Sequence, residues 1–547
     1  MKKVILSLIF FGLILCPALC FASPSVELIN KFTAADTGSL ETRAEYGASV
    51  ALSSEALAVA APFEGIEETG AVYVYSRDKG GPGNWGFVKK ITLSDLGVVR
   101  IGSLFGKTLA ISDDYLMISD SDGDYDGVRL AGVVYVFGRN KGGDNNWGLL
   151  QVLHAEPPVL KGYFGSSVAI SGDTLVVGYE NLAVGSLQEV GCAYVYTPDR
   201  DNPGQWKLQK VLEPQNKEGV VENQAGLKFG SSVGVAGDIL AVGAPRKIIS
   251  WPQRAGMVYI FSRNAGGANN WGIVKRVSPQ FENGDSDIVT DMEFGAKVDV
   301  SGDLLLVGAP QWSTEHVDYV GSSYVFSKDK GGADQWGIVK RLMPVRENGN
   351  IREIGFSEFG KDVSISGDLA LVASKYGAYL FSKSQSDIGT WGIVKTINDI
   401  ETEPDSKLAS SVAIHGDYSL IGSGAKDVDS KVGAGAVYYF KTPNIISLEG
   451  CADKTVSPTA TQPTGTRAIV TSVAKRVKTT AEIKKEHQTP GMGSMLGANE
   501  YEFTASVTAG KVAYFCFNSS SLGERKAEEV ALFKLFPNKD SKSFTYS

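Results

Sequence analysis

Short apolar runs separated by glycine-rich polar turns fill most of the chain, and they recur in a fixed order. Residues 164–178 read FGSSVAISGDTLVVG, residues 229–245 FGSSVGVAGDILAVGAP and residues 294–310 FGAKVDVSGDLLLVGAP. Each holds two β-branched, apolar runs of strand length, bounded by turn residues. The Gly-Asp between them predicts a two-residue hairpin turn, with the glycine supplying a positive φ. A third run follows, as GAVYVYSR (70–77) or GMVYIFSR (256–263). A polar, glycine-rich link such as DKGGPGN (78–84) or NAGGANN (264–270) then leads to a fourth run headed by tryptophan. Less perfect copies start at Tyr46, Phe105, Phe359 and Leu408, which makes seven starts spaced 49 to 65 residues apart. Four short antiparallel strands cannot bury both faces of their own small sheet. Radial stacking of seven such sheets buries them against one another, so the pattern predicts an all-β, seven-bladed propeller.

Six fourth strands are headed by Trp85, Trp147, Trp206, Trp271, Trp336 and Trp391, whereas the seventh copy stops after AVYYFKTPN (436–444). The missing strand lies at the other end of the chain. VELINKFTAAD (26–36) aligns with the fourth strand of the first copy: Lys31 with Lys90, Leu28-Ile29 with Phe87-Val88, Phe32-Thr33 with Ile91-Thr92, and Asp36 with Asp95. The N-terminal strand is therefore expected to complete blade 7, closing a ring with no free blade edge. The propeller is expected over residues 23–446.

Phe-Gly openings, GAP after the second strand and a Tyr/Phe-rich third strand make residues 26–445 resemble the FG-GAP repeat of integrin α-subunit heads and of many exported bacterial proteins. The resemblance implies a seven-bladed propeller that binds a protein or glycan partner with loops of one face. In that family the hairpin of the first two strands often carries a calcium loop. Here those hairpins are as short as SGDT and AGDI, so Asp173, Asp238, Asp303, Asp368 and Asp417 read as turn residues.

Residues 1–22 follow the charged, apolar, small-residue order of a secretory signal peptide: Lys2 and Lys3, then VILSLIFFGLILC, then PALCFA. Export through the Sec pathway is expected, to a secreted, periplasmic or surface-associated location. No later run approaches the roughly 18 apolar residues of a membrane span. The formal net charge of −8 over 547 residues is mild and argues against a nucleic-acid partner. Of the five cysteines, Cys16 and Cys20 lie in the signal segment. Cys192 replaces an apolar residue of the third strand in GCAYVY and is expected to be buried. Cys451 and Cys516 are expected to form a disulfide in an oxidising compartment. Residues 452–466, ADKTVSPTATQPTGT, read as a linker. The segment 451–547 is expected to be a small β-rich accessory domain; within it, RAIVTSVAKRVKTTAEIKKE (467–486) fits a basic helix or further strands. The protein is expected to be a monomer.

Candidate sites are few. SDSDGDYDG (119–127) sets Asp120, Asp122, Asp124 and Asp126 at alternate positions, like the first half of an oxygen-ligand loop, but the closing acidic residue is missing. Calcium there is the one cofactor suggested, against a plainly solvated acidic loop. GSSVG (230–234) matches a nucleophile-elbow pattern, but Ser232 begins an inner strand instead of a strand–turn–helix. The four histidines, His154, His316, His415 and His487, are scattered. Two tryptophans fall outside the repeat pattern, Trp251 in RKIISWPQRA (246–255) and Trp312 in QWSTEHVDYV (311–320), both in loops joining the second and third strands of consecutive blades. With Arg246, Arg254, Glu315, His316 and Tyr319, they have the make-up of an interface hot spot or a sugar-stacking platform; the alternative is that each indole folds back over its own loop. The expected function is non-enzymatic binding or adhesion to a protein or carbohydrate ligand. A hydrolase with an active site on one face, or an envelope spacer, are the competing readings.

Overall fold

The computed structural model describes residues 26–442, apart from 66, 82, 99, 101, 217–218, 223, 346–350, 352–353, 384–390 and 398–408, and the backbone of five short strands between 468 and 546. Seven four-stranded antiparallel sheets form the propeller. Blade 4 is representative, with strands Ser232–Ala236, Ile239–Ala244, Met257–Ser262 and Gly272–Val277 running outward in chain order. Blade 7 consists of Ser411–His415, Tyr418–Ser423 and Ala436–Lys441, and its outermost strand is Glu27–Phe32. The inner strands of neighbouring blades touch all the way round, including blade 7 against blade 1. The ring is closed by the chain's own beginning.

The sequence alignment of that closing strand holds residue by residue. Leu28 pairs with Phe440 and Asn30 with Tyr439, leaving Ile29 as a bulge; Phe87 pairs with Tyr75 and Lys89 with Val74, leaving Val88 as the same bulge. Beyond the strand, the Thr33 amide donates to Asp36 Oδ2 at 2.7 Å and the Thr92 amide to Asp95 Oδ2 at 2.9 Å. The inner hairpins also turn as expected: Gly172, Gly237, Gly302, Gly367 and Gly416 all have φ of 55–56°. Asp173 and Asp238 sit at their tips, both ion-paired with Arg263 at 2.8 Å.

Burial explains why the middle strands lack polar alternation. In Ala56–Ala61 every residue is buried: Ala56, Ala58 and Ala60 enter the core shared with blade 2, while Leu57, Val59 and Ala61 enter the core shared with blade 7. Each of the six tryptophans before a fourth strand lies in such an interblade core. The repeated glycines mark the closest approach of neighbours. A Cβ on Gly243 would lie 2.0 Å from the Gly295 carbonyl oxygen of the next blade, and one on Gly422 would lie 2.0 Å from that of Gly47. At the centre, side chains tie together inner strands that share no ladder. Ser232 Oγ accepts the Val298 amide at 2.9 Å, Asp299 Oδ2 the Ile365 amide at 2.8 Å, and Asp362 Oδ2 the Val412 amide at 2.8 Å. Asp299 faces the central channel, and burial pushes its carboxyl up to about 6. Ser232 is thus a bridge between strands, in a strand–hairpin–strand setting.

Cys192 is free and buried, and burial raises its thiol well above the ordinary value. The C-terminal segment contributes a three-stranded sheet (Ala468–Thr471, Thr480–Glu486, Glu500–Thr504) and a two-stranded one (Leu535–Pro537, Phe544–Tyr546). Strands, not a helix, therefore occupy the described parts of 467–486. Cys451, Cys516, His487, the linker and the signal segment lie outside the described residues. Among the described residues, no helix is long and apolar enough to cross a membrane.

Candidate ligand-binding face

Antiparallel order places the loops between second and third strands on the same face as the connections that enter each blade; we call it the upper face. In blade 4 the loop forms a small hairpin of its own, Ile248–Ser250 paired with Gln253–Arg254, with Trp251 at its tip. The base is fixed: the amides of Ala255 and Gly256 both donate to the Lys247 carbonyl, and Ile249 packs against the core of blades 4 and 5. The tip is not. Trp251 is 84% exposed.

Trp312 does the opposite. It is 8% exposed and lies in the interblade core, with the Arg341 guanidinium 4.1 Å above its ring. Its indole N–H points at Asp287 Oδ1, 3.4 Å away. Asp287 is buried, accepts the Tyr324 hydroxyl at 2.6 Å and pairs with Arg341 at 3.3 Å. Burial raises the Asp287 carboxyl above its ordinary value, with Tyr324 and Arg341 acting against the shift. The two indoles are therefore not a pair. Trp312 covers its own loop, and its ring face is taken by an arginine.

Of the flanking residues, Arg254 is exposed and pairs with Asp291 at 3.8 Å. Exposed Arg246 acts electrostatically on Glu293. Glu315 and His316 are exposed in the blade 5 loop, and Tyr319 is 40% exposed at its end. Tyr319 opens onto a cavity of about 500 Å³ that also involves Glu293, Gln311, Phe356, Glu358 and Lys361. Phe356, 53% exposed, meets Tyr319 edge to face at 5.4 Å. Phe356 and Glu293 carry no signal in the sequence, because both lie in connections entering a blade, whose length and residue types vary from blade to blade.

The acidic loop of blade 2 does not assemble a calcium site. Asp120 ends a strand with its side chain buried against Arg100 at 2.9 Å, Asp122 pairs with Lys107 at 3.3 Å, and Asp124 accepts the Leu130 amide at 2.8 Å. Asp126 lies beyond them in a left-handed turn. Cations and a backbone amide have taken three of the four carboxylates. Among the described residues, no cluster of three or more His, Cys, Asp or Glu side chains is placed to hold a metal.

The FG-GAP repeat family model matches residues 147–196 and 285–326, each spanning Phe-Gly, the hairpin and the third strand of one blade, blade 3 and blade 5. No curated protein matches the chain. Among solved structures, the crystal structure of Kluyvelomyces marxianus Hsv2 is similar over 74% of this chain and 98% of that one, at 9% identity and a TM-score of 0.37. The chain thus carries the FG-GAP repeat in two blades of a closed seven-bladed ring, and the same pattern recurs in the other blades, as fits an FG-GAP propeller protein.

Proposed function

We propose that the protein is an exported, non-enzymatic binding or adhesion module that holds a protein or carbohydrate partner on its upper face. The observation that supports this most is Trp251. A tip residue that only closed its hairpin would cover its own backbone. Trp251 instead stands 84% exposed on an element whose base is hydrogen-bonded and packed. Exposed aromatics on ordered supports are the usual anchors of recognition, since they bring large contact area and lose little freedom on binding. Export rests on the order of residue types in positions 1–22.

The test is a screen of the purified full chain against glycan and protein arrays, followed by Trp251→Ala. A hot-spot indole should contribute about 2 kcal/mol or more to the affinity, so the variant should weaken a true partner about 30-fold. Hits that ignore the substitution would remove the upper-face hairpin from the reading. Turnover of an arrayed compound would replace it with an enzyme.

A further inference from the structure

We infer that the cavity between blades 5 and 6, walled by Tyr319 and Phe356, is a subsite for an uncharged sugar ring of an oligosaccharide. This rests on the reading that the upper face binds a partner, but on residues other than the Trp251 hairpin.

The repeat supplies its own control. At six junctions the same two backbone positions meet: the residue two before the glycine that opens a third strand, and the residue three before the Phe/Tyr-Gly of the following blade. At this junction the Phe356 amide donates to the Asp318 carbonyl and the Glu358 amide to that of Tyr319; the bonds of Lys161 and Tyr163 to residues 129 and 130 repeat the arrangement. Elsewhere the two positions hold Glu68 and Gly102, Leu130 and Lys161, Glu189 and Gly226, Arg254 and Asp291, or Gly433 and Arg43. Among the described junctions, only blades 5 and 6 place an aromatic at both. Tyr319 and Phe356 keep positive φ values of 53° and 58°, a conformation shared by their counterparts at the other described junctions except Arg254. A bulky aromatic gains nothing from that backbone, and burial does not repay it here, because both rings stay about half exposed.

Below the rings, the chemistry is mixed and balanced. Glu293, Glu358, Lys297 and Lys361 line it, and Gln311 adds an amide. Lys297 is held by Asp362 at 3.7 Å. Such a lining has no net charge with which to select an anion or a cation. It offers donors and acceptors close together beneath aromatic faces. A pyranose ring matches both halves, with C–H groups on one side and hydroxyls around its edge. Burial raises the Glu293 carboxyl, opposed by Arg246, in keeping with a carboxyl suited to a neutral hydroxyl partner. A volume of about 500 Å³ falls within the range of ligand pockets. Blade 6 joins its second and third strands through only Lys375 and Tyr376, so no long loop walls the cavity on that side and a longer chain can run on.

The intact chain is applied to an array of neutral cello-, malto-, xylo-, manno- and chito-oligosaccharides, and the strongest series is titrated in solution by calorimetry. Tyr319→Ala and Phe356→Ala should each weaken binding about tenfold or more, with melting unchanged because both rings are exposed. Phe356→Tyr keeps a ring in place and should retain most of the affinity. Trp251→Ala should leave this saccharide affinity within about twofold, which separates the subsite from the hairpin. The inference is overturned if no series binds, or if binding survives the Tyr319→Ala/Phe356→Ala double variant. A protein ligand lost in that double variant, with no saccharide bound, would equally overturn it.

Discussion

The loops above blades 4 and 5 contain an extra tryptophan each, and the fold treats the two in opposite ways. The reason is visible once the blades are superposed by their hydrogen bonds instead of by residue type. Trp312 occupies the position of Lys247, not that of Trp251. Both residues come four after the second-strand glycine, and both carbonyls accept the glycine amide that opens the third strand, from Gly256 in blade 4 and Gly321 in blade 5. Around that position each blade builds a polar box. In blade 5 it holds Asp287, Tyr324, Arg341 and Trp312; in blade 4 the matching residues are Glu222, Tyr259, Arg276 and Lys247, the last two ion-paired with the carboxylate. Blade 1 permutes the roles, putting Glu64 at the Lys247 position with Tyr73, Lys90 and Ser39 around it. One backbone slot thus accepts a carboxylate, an ammonium or an indole beside a buried tyrosine and a basic side chain. Trp251 lies outside any box, and nothing draws it in.

The largest effect should come from removing the carboxylate on which the blade 5 box converges. Asp287→Ala leaves the Arg341 charge buried without its partner, a loss of about 3–5 kcal/mol in urea unfolding. A loss near zero would show that the box is not what holds this loop. Trp312→Ala should cost somewhat less, about 3 kcal/mol, because the indole fills an interblade core but carries no charge. Trp312→Lys sharpens the equivalence. If the slot is shared, the ammonium reaches Asp287 as Lys247 reaches Glu222, and the variant should be about 1 kcal/mol more stable than Trp312→Ala. A lysine variant no better than alanine would break the superposition of the two blades.

How much of this was legible beforehand follows from what each feature depends on. Blade number and ring closure are local patterns repeated seven times, so Lys31 could be matched to Lys90 and the shared bulge followed. The interior tryptophans were legible because the same position recurs. The boxes were not, because their members come from three separate segments of each blade and change identity between blades: Glu222 and Asp287 lie seven residues before the Phe-Gly, in connections whose length varies. The same blindness made Trp251 and Trp312 look like a pair. The two loops are equal in length, so aligning them on Gly243 and Gly308, or on Gly256 and Gly321, sets Trp312 opposite Lys247 and His316 opposite Trp251; spacing carries that equivalence, and residue type hides it. The acidic run of blade 2 failed for a related reason: the cations that claim Asp120 and Asp122 are Arg100 and Lys107, from another part of the blade.

The boxes should also respond to pH with opposite signs. Burial acts to raise the Glu222 carboxyl, but Lys247, Tyr259 and Arg276 hold it below its ordinary value. A carboxyl lowered on folding contributes stability that is complete above its unfolded value and disappears as pH falls through the folded one. Asp287 is raised, so its ionised form is disfavoured on folding; that penalty is present above its folded value and is relieved as pH falls toward its unfolded one. Measured against Glu222→Gln, the wild type should therefore lose its advantage on acidification, and measured against Asp287→Asn it should gain. The expected slopes are modest, about 1 kcal/mol or less across the carboxylate range. Chemical unfolding at a series of pH values between neutrality and the acid limit reads both, and two slopes of the same sign would mean that the boxes are not electrostatically distinct.

The smallest effect on stability belongs to Trp251, and the contrast with Trp312 depends on it. An indole that is 84% exposed has almost no burial to lose, so Trp251→Ala should change the unfolding free energy by no more than about 0.5 kcal/mol. The hairpin beneath it should persist, because the amides of Ala255 and Gly256 and the packing of Ile249 do not involve the ring. Amide hydrogen exchange at residues 248–256 would confirm that the support is intact. Against that unchanged background, the loss of partner binding is the whole of the expected phenotype. If Trp251→Ala instead destabilises the protein as much as Trp312→Ala, the two loops are alike after all. The exposed ring would then be part of the fold, and the hairpin would have no claim to recognition.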